Sequence, residues 1–331
     1  MSIEILTSTI LSKMSNVGKW QAKFFIGLTN LWLGLRGRYH FENLSRQGDL
    51  SSESYRANFS KSFDFKIFNL ELFKYLGVEK VWVLDPTFLN KSGKKTPGIG
   101  YFWSGCKQKV SRGIELVGIA VVDVENYTSF HYHATQTILS KGQDLLAYYA
   151  DLLVKDAFNL LTVSKYVAVD AYFSKKSFID SVTQAGLHLI TRMRDDAAMY
   201  YAYTGLQRTG RGRKKQFSGK IDTKNLDLSD FRACLQEDDW TAFEGLAYAK
   251  ALKRWVKTVV VQNYKTDGSI KNCKIFISTD LTMTGIDLYL YYHLRYQIEF
   301  VYRDAKQHLG LTHCQSTQQQ RLDFHRTGDP A

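Results

Sequence analysis

Two aspartates follow runs of apolar, β-forming residues: Asp85 closes VWVL and Asp170 closes YVAV. In α/β sheets ligands collect outside the carboxyl ends of strands, so a carboxylate at such a position is well placed for chemistry. Carboxylates are hard oxygen donors of the kind that Mg²⁺ and Mn²⁺ take. Taken singly, each Asp could equally cap a helix or form a turn. A further group, Tyr292, Arg295, Glu299 and Lys306, falls at offsets of 0, 3, 7 and 14 residues. On one continuous helix, at about 100° per residue, these four share an arc of roughly 60°. Such a stripe is either a binding face or a solvated face carrying an Arg–Glu pair. Tyr296 and Arg303 on its flank and His308 on the far side mean that polarity alone does not single it out.

The elements that must carry these residues follow from the hydrophobic pattern. From Ile3 to about Leu76 the period is helical, with Ile5, Ile10, Leu11 and Met14, then Trp20, Phe24, Phe25, Leu28, Leu31 and Leu35. Asp49 and Ser51 or Ser52 are expected to cap a helix through Phe59, in outline like a helix-turn-helix or a helical layer packed on the rest. After Leu76-Gly77 the chain becomes β-rich. Strands are predicted at Lys80–Leu84, ending at Asp85-Pro86, then at Gly113–Val122 and Tyr127–Ala134. A helix over Gln143–Asp156, a strand at Tyr166–Val169, a helix over Ser174–Gln184 and a strand at Leu187–Thr191 complete a mixed α/β sheet. Leu246–Leu252, Thr258–Tyr264 and Lys274–Ser278 read as strands of a β-insertion, with a turn at Asp267-Gly268. A long helix is predicted from Asp280 or Thr284 to about Leu309, ended by Gly310.

Composition sets outer limits. In 331 residues, 44% hydrophobic and 14% aromatic content excludes disorder as the dominant state. Lys plus Arg number 44 against 32 Asp plus Glu, and a net charge of +12 favours a polyanionic partner, nucleic acid first. Cys106, Cys234, Cys273 and Cys314 form no CxxC pair, which fits neither a zinc ribbon nor a disulfide framework and suits a reducing cytoplasm. The apolar run Phe24–Leu35 is interrupted by Asn30 and two glycines and is too short to span a bilayer. No signal peptide is evident, and no membrane partner is expected.

Tyr292-(2)-Arg295-(3)-Glu299-(6)-Lys306 matches, without spacing error, the Y-R-E-K signature of bacterial DDE transposases of the insertion-sequence-four type. The chain resembles that family also in VWVLDPTFLNKSGKKTPGIGYFWSG around Asp85, in YVAVDAYFSKKSFID around Asp170, in GRGRKK and in LTHCQS, a span of about Val81 to Ser316. The resemblance implies an α/β fold with an RNase H-like (retroviral-integrase-like) core and mixed sheet, a β-rich insertion and an N-terminal helical region. In residue numbers, it implies a helical region over 1–78 that binds DNA ends, a core over 79–204 and 280–314, and a basic loop with β-insertion over 205–279. It implies that Asp85, Asp170 and Glu299 are catalytic and hold two Mg²⁺ (or Mn²⁺) ions. Arg295 and Lys306 would take phosphates, and Tyr292 would bond or stack near the element end. The activity implied is metal-dependent cleavage of transposon-end inverted-repeat DNA and strand transfer into target DNA, by a homodimer in the bacterial cytoplasm, at the nucleoid. Relatives usually continue with more helix, so 315–331 is expected to be a shortened tail. The alternative readings are a truncated, catalytically defective product that only occupies DNA ends, and an RNase H-like nuclease of repair or RNA processing.

Two basic segments are further DNA-binding candidates. Phe88–Gly113 holds Lys91, Lys94, Lys95, Lys107, Lys109 and Arg112 without an acid, interleaved with Tyr101, Phe102 and Trp103; it either tracks phosphates or is a solvated hairpin. Arg208, Arg211, Arg213, Lys214 and Lys215 stand among glycines that permit close backbone approach to a phosphate, or form a mobile loop. His131 and His133 would share one side of a strand, but no third and fourth zinc ligand follow at familiar spacing. Trp240 and Trp255 could stack on a base or belong to a core.

Overall fold

Side-chain caps start several helices where the sequence changes texture. Ser2 accepts from Ile5 N at 3.3 Å, Ser51 from Ser54 N at 3.2 Å and Asp64 from Ile67 N at 3.1 Å. Asp144 accepts from Ala147 N at 2.9 Å, and Thr284 from Asp287 N at 3.1 Å. Each satisfies an amide that the first helical turn leaves without a partner. The computed structural model describes residues 2–92, 95–105, 107–207, 209–314, 316 and 318–327, so Lys94, Cys106 and Arg208 lie outside the described residues.

In chain order the helices α1 (Ile3–Lys13), α2 (Lys19–Gly34), α3 (Phe41–Gln47), α4 (Ser52–Asn58) and α5 (Phe65–Leu72) come first. Strands β1 (Lys80–Asn90), β2 (Gly100–Ser104), β3 (Lys109–Asp123) and β4 (Thr128–Gln136) follow, then helices α6 (Leu145–Lys155) and α7 (Ala157–Leu161). Strand β5 (Tyr166–Ala168), helix α8 (Lys176–Gln184) and strands β6 (His188–Met193), β7 (Met199–Ala202) and β8 (Phe217–Lys220) come next. Strands β9 (Phe231–Glu237), β10 (Trp240–Ala249), β11 (Arg254–Tyr264) and β12 (Ile270–Ser278) precede helices α9 (Gly285–Leu294), α10 (Gln297–Gln307) and α11 (Gln319–Thr327). The class is mixed α/β with mostly antiparallel strands. No helix among the described residues is long and apolar enough to cross a membrane.

The chain divides into two compact units: Met1–Lys80, Leu84–Ser140 and Tyr296–Ala331 form the first, Val81–Val83 and Lys141–Arg295 the second. In the first, β2 pairs antiparallel with β3 from Gly100↔Gly113 to Ser104↔Lys109, β3 pairs antiparallel with β4, and β1 lies on the other side of β3. Helices α5, α10 and α11 pack on β4. The N-terminal helices share an aromatic core, into which α11 inserts Phe324, with ring centroids 4.4 Å from Phe59 and 5.7 Å from Phe25. Ala305 of α10 packs with Leu89, Ile114, Leu116 and Leu311.

In the second unit the strand order runs β1, β5, β6, β12, β11, β10, β7, β8, with β9 also on β10. Residues Trp82 and Val83 pair in parallel with Val167 and Ala168, and β5 pairs in parallel with β6; from β12 onward the ladder is antiparallel. Val81, Trp82, Val83 and Leu84 of β1 and Val167, Ala168 and Val169 at β5 are fully buried and read as continuous apolar runs, as parallel strands do. Trp82 donates its indole N–H to Leu160 O at 2.9 Å, which satisfies the polar atom of a fully buried side chain.

Two local expectations are corrected. Strand β1 does not stop at Asp85-Pro86 but runs on to Asn90. The β5 ladder covers only Trp82 and Val83, so no parallel bond is asked of Pro86. Within the basic segment from Phe88 to Gly113, β2 and the start of β3 pair as a β-hairpin, in line with one of the two readings of that segment. The long helix is two: the run breaks at Arg295 and Tyr296, where Arg295 N bonds Tyr292 O at 3.2 Å and Glu299 N bonds Tyr296 O at 2.9 Å. These are i to i−3 bonds, tighter than the α-helical ladder, so the α-helix is not continuous there. Strands β7, β8 and β9 are additions to the predicted set.

Candidate active site

Asp170 stands just past β5, whose ladder is continued by Val169 N to Ile190 O at 2.9 Å. Its backbone is held by β6: Thr191 Oγ1, buried, donates to the Asp170 carbonyl at 3.0 Å. Its Oδ1 accepts the Ala171 amide at 2.6 Å and starts a short 3₁₀ turn, so one oxygen does the work of a cap. Tyr292 of α9 lies in the same unit, its ring 4.7 Å from that of Phe276 on β12. Burial pushes the Tyr292 hydroxyl pKa up; Arg295 and Arg192 counter this and Asp170 adds to it. The Arg295 guanidinium lies 5.8 Å from the Tyr292 ring centroid, and Arg192 is paired with Asp195 at 2.8 Å. Asp170, Arg295 and Arg192 therefore each lie near enough to Tyr292 for their charges to act on its hydroxyl.

The first unit holds the remaining candidates. Asp85 sits within β1, and its carbonyl accepts the hydroxyl proton of Tyr302, three residues beyond Glu299 on α10. The same hydroxyl oxygen accepts the Gly118 amide of β3 at 2.8 Å. Burial holds the Tyr302 hydroxyl protonated, and the nearby Asp85 charge reinforces this. One turn further along α10, Lys306 Nζ donates to Thr87 Oγ1 at 2.7 Å, two residues beyond Asp85. Glu299, Tyr302 and Lys306 at i, i+3 and i+7 share one side of α10, with Glu299 exposed.

Tyr302, Thr87 and Thr191 bond to candidate residues or beside them, and Arg192 acts on Tyr292; the sequence reading does not single out any of the four. Tyr302 has a usable signal, its spacing of three from Glu299 and four from Lys306. Nothing local marks the other three.

The donor chemistry of Asp85, Asp170 and Glu299, all hard carboxylate oxygens, suits Mg²⁺ or Mn²⁺. Among the described residues no three His, Cys, Asp or Glu side chains are gathered as a metal-holding group, and Asp170 belongs to one unit while Asp85 and Glu299 belong to the other. His131 and His133 are likewise not part of such a group.

Of the basic candidates, Lys95 is exposed, and Arg211, Arg213, Lys214 and Lys215 are exposed in the connection between paired strands β7 and β8. That connection is pinned at its base, Gln207 accepting from Lys215 N at 3.0 Å and donating to Lys215 O at 2.8 Å. Lys94 and Arg208 fall outside the described residues. On the β2–β3 hairpin Tyr101 and Trp103 are 75% and 62% exposed and point the same way, two residues apart, which leaves two rings available for stacking. Trp240 is stacked on Tyr289 at 5.0 Å and 22°, and Trp255 packs on Tyr248 at 5.5 Å, so both serve packing in the second unit.

Comparison with protein families finds that the model described as the transposase DDE domain matches residues 81–327. Among curated proteins nothing matches.

Proposed function

Because the chain belongs to the transposase DDE domain family, we propose that it cuts DNA at the ends of a mobile element and joins those ends to target DNA, with Asp85, Asp170 and Glu299 as the carboxylates of its active site. The observation that carries this reading is a register. Val83 pairs in parallel with Ala168, and each aspartate stands two residues further along its own segment. Two further bonds support the assignment of Glu299, since Tyr302 and Lys306, three and seven residues beyond it, fasten α10 to β1 at Asp85 and Thr87.

In this reading the three carboxylates would hold two Mg²⁺ or Mn²⁺ ions, which when bound would activate a water or 3′-hydroxyl and stabilise the departing oxygen. The chain's own residues do the positioning. Arg295 and Lys306 take phosphate oxygens, Arg as a planar fork and Lys as a point charge. Tyr292, kept protonated by burial, donates a hydrogen bond to a phosphate or stacks at the element end. Lys95 and Arg211, Arg213, Lys214 and Lys215 track the backbone, and the Y-R-E-K spacing is what supports a transposase of the insertion-sequence-four type. Two copies holding two ends form the assembly this function requires.

The test is Mg²⁺-dependent nicking of DNA carrying the element's own inverted repeats. Asp85→Ala, Asp170→Ala and Glu299→Ala should each lower it by about a hundredfold or more while DNA binding changes little, because phosphate contacts from Lys and Arg supply most of the affinity. Retained nicking in any one variant, with contaminating nuclease ruled out, removes that residue from the site.

A further inference from the structure

Within the first unit a cavity of about 700 Å³ is enclosed by the N-terminal helices and the segment after α10. Part of its wall is aromatic, from Trp32, Tyr39, Phe41 and Phe59. Its charged lining is one-sided: Arg38, Arg56 and Arg321 face it together with three histidines, and Glu42 is the sole acid among the described lining residues.

Hydrogen bonding makes the lining richer in donors than its formal charge suggests. His40 caps α3, its Nδ1 accepting Asn43 N at 3.2 Å, and His313 Nδ1 accepts Tyr39 N at 3.2 Å. A neutral imidazole whose Nδ1 lone pair is engaged in this way carries its proton on Nε2, so each ring retains an N–H to donate. Arg56 lies over the Phe41 ring at 5.5 Å and is 3.7 Å from Glu42 and 3.9 Å from Glu53, which occupies the only acid of the lining. Arg321 uses Nε on Ser60 Oγ at 2.8 Å, with the rest of its fork remaining. The Arg38 guanidinium has no hydrogen bond or ion pair among the described residues. Burial first, then Arg38 and His40, push the His313 pKa down, an independent sign that positive charge is concentrated here.

A donor-rich, net-positive cavity with aromatic walls is complementary to an oxyanion attached to a flat ring, and its volume is within the range of small-molecule sites. We propose that this cavity binds the phosphate of a nucleotide, with the base against the aromatic wall. The nucleotide is either one of a DNA strand or free in solution; both present the same chemistry. The site shares no residue with the proposed catalytic set and does not depend on that assignment.

The test follows the His40 and His313 imidazole signals by NMR in the full chain, assigned from His40→Asn and His313→Asn, during titration with deoxyadenosine monophosphate, a short single-stranded oligonucleotide or inorganic phosphate. Bound phosphate should raise both imidazole pKa values. Arg38→Gln should weaken that response by about tenfold or more, since a charge-assisted bond is lost; because the Arg38 guanidinium makes no hydrogen bond or ion pair among the described residues, this variant removes no internal side-chain bond, and Arg321→Gln serves as a second. Response to the mononucleotide marks a free nucleotide as the ligand, and response to the oligonucleotide alone marks a DNA strand. Either outcome supports the proposal. No response to either, a response unchanged in both Arg variants, or inorganic phosphate acting as strongly as the nucleotide would overturn it.

Discussion

At the scale of single residues, the bond from Lys306 to Thr87 changes what a lysine two helical turns beyond Glu299 is expected to do. A solvated lysine could be replaced without effect, whereas this ammonium is already directed at the strand that carries Asp85. Lys306→Ala should lower end cleavage and leave metal affinity intact, and the slope of log affinity against log salt should fall by about one contact. Lys306→Arg should recover part of the rate, the charge being kept but the compact geometry lost. Thr87→Val keeps the shape and removes the acceptor; a several-fold drop in nicking with unchanged DNA affinity is expected, and a wild-type rate in Thr87→Val would show that the bond does not matter. Tyr292 offers a pH test. Its pKa is raised, so the hydroxyl remains a donor up to and beyond its ordinary titration near pH 10, and nicking should show no loss between pH 7 and 9 that Tyr292→Phe abolishes.

At the scale of elements, Tyr302 is the key that fits α10 to the strands. Its single hydroxyl serves the Asp85 carbonyl and the Gly118 amide together, and a Cβ at residue 118 would come within 2.3 Å of that oxygen. Tyr302→Phe leaves two buried backbone groups without this partner, a cost of about 1–3 kcal/mol. If the hydroxyl also sets where Glu299 stands, the Mg²⁺ concentration for half-maximal nicking should rise more in Tyr302→Phe than in an equally destabilising change remote from the site, such as Leu28→Ala. Equal Mg²⁺ requirements in the two variants would leave Tyr302 a purely structural residue. The corresponding anchor for α9 is Glu244, buried on β10, which accepts the Gly285 amide at 2.7 Å, Lys257 at 2.7 Å and Arg232 at 2.8 Å. Burial pushes its pKa up, but the bonds from Lys257, Arg232 and Gly285 outweigh it and bring the net below the ordinary value. Its stabilising effect is therefore present above the unfolded pKa and lost as pH falls through the folded one.

For the molecule as a whole, stability should depend on pH through buried histidines as well as carboxylates. His131 on β4 has its pKa lowered by burial to about 4. Between its ordinary value near 6.5 and about 4 the unfolded chain binds a proton that the folded chain does not, so stability falls with pH across that window and levels off below it. The full shift corresponds to roughly 3 kcal/mol. Calorimetry from pH 7 to 4.5 should show a shallower decline for His131→Gln than for the parent protein; superimposable curves would dismiss the histidine as the cause. Some slope should remain, because burial also lowers His188, His293 and His313.

The sequence by itself determined whatever depends on neighbours a few residues away. The apolar runs before Asp85 and Asp170 are buried strands, the five N-terminal helices follow their 3.6-residue period, Ser51 caps where a cap is expected, and Asp267-Gly268 turns between β11 and β12. The Y-R-E-K spacing is likewise a property of the chain alone. Tertiary structure decided what depends on distant partners. Neither Gly nor Pro marks the break at Arg295 and Tyr296, so local propensity predicts one helix where there are two. Strand β2 lies in a segment whose glycines and lysines read as loop, and becomes a strand by pairing with β3; β7 and β9 are strands through β10. Phe324 enters a core formed by residues more than 250 positions earlier. Tyr302 acquires its role only when Asp85 and Gly118 are brought to it, because a hydroxyl's spacing along a helix says where it points and not which backbone groups will need it.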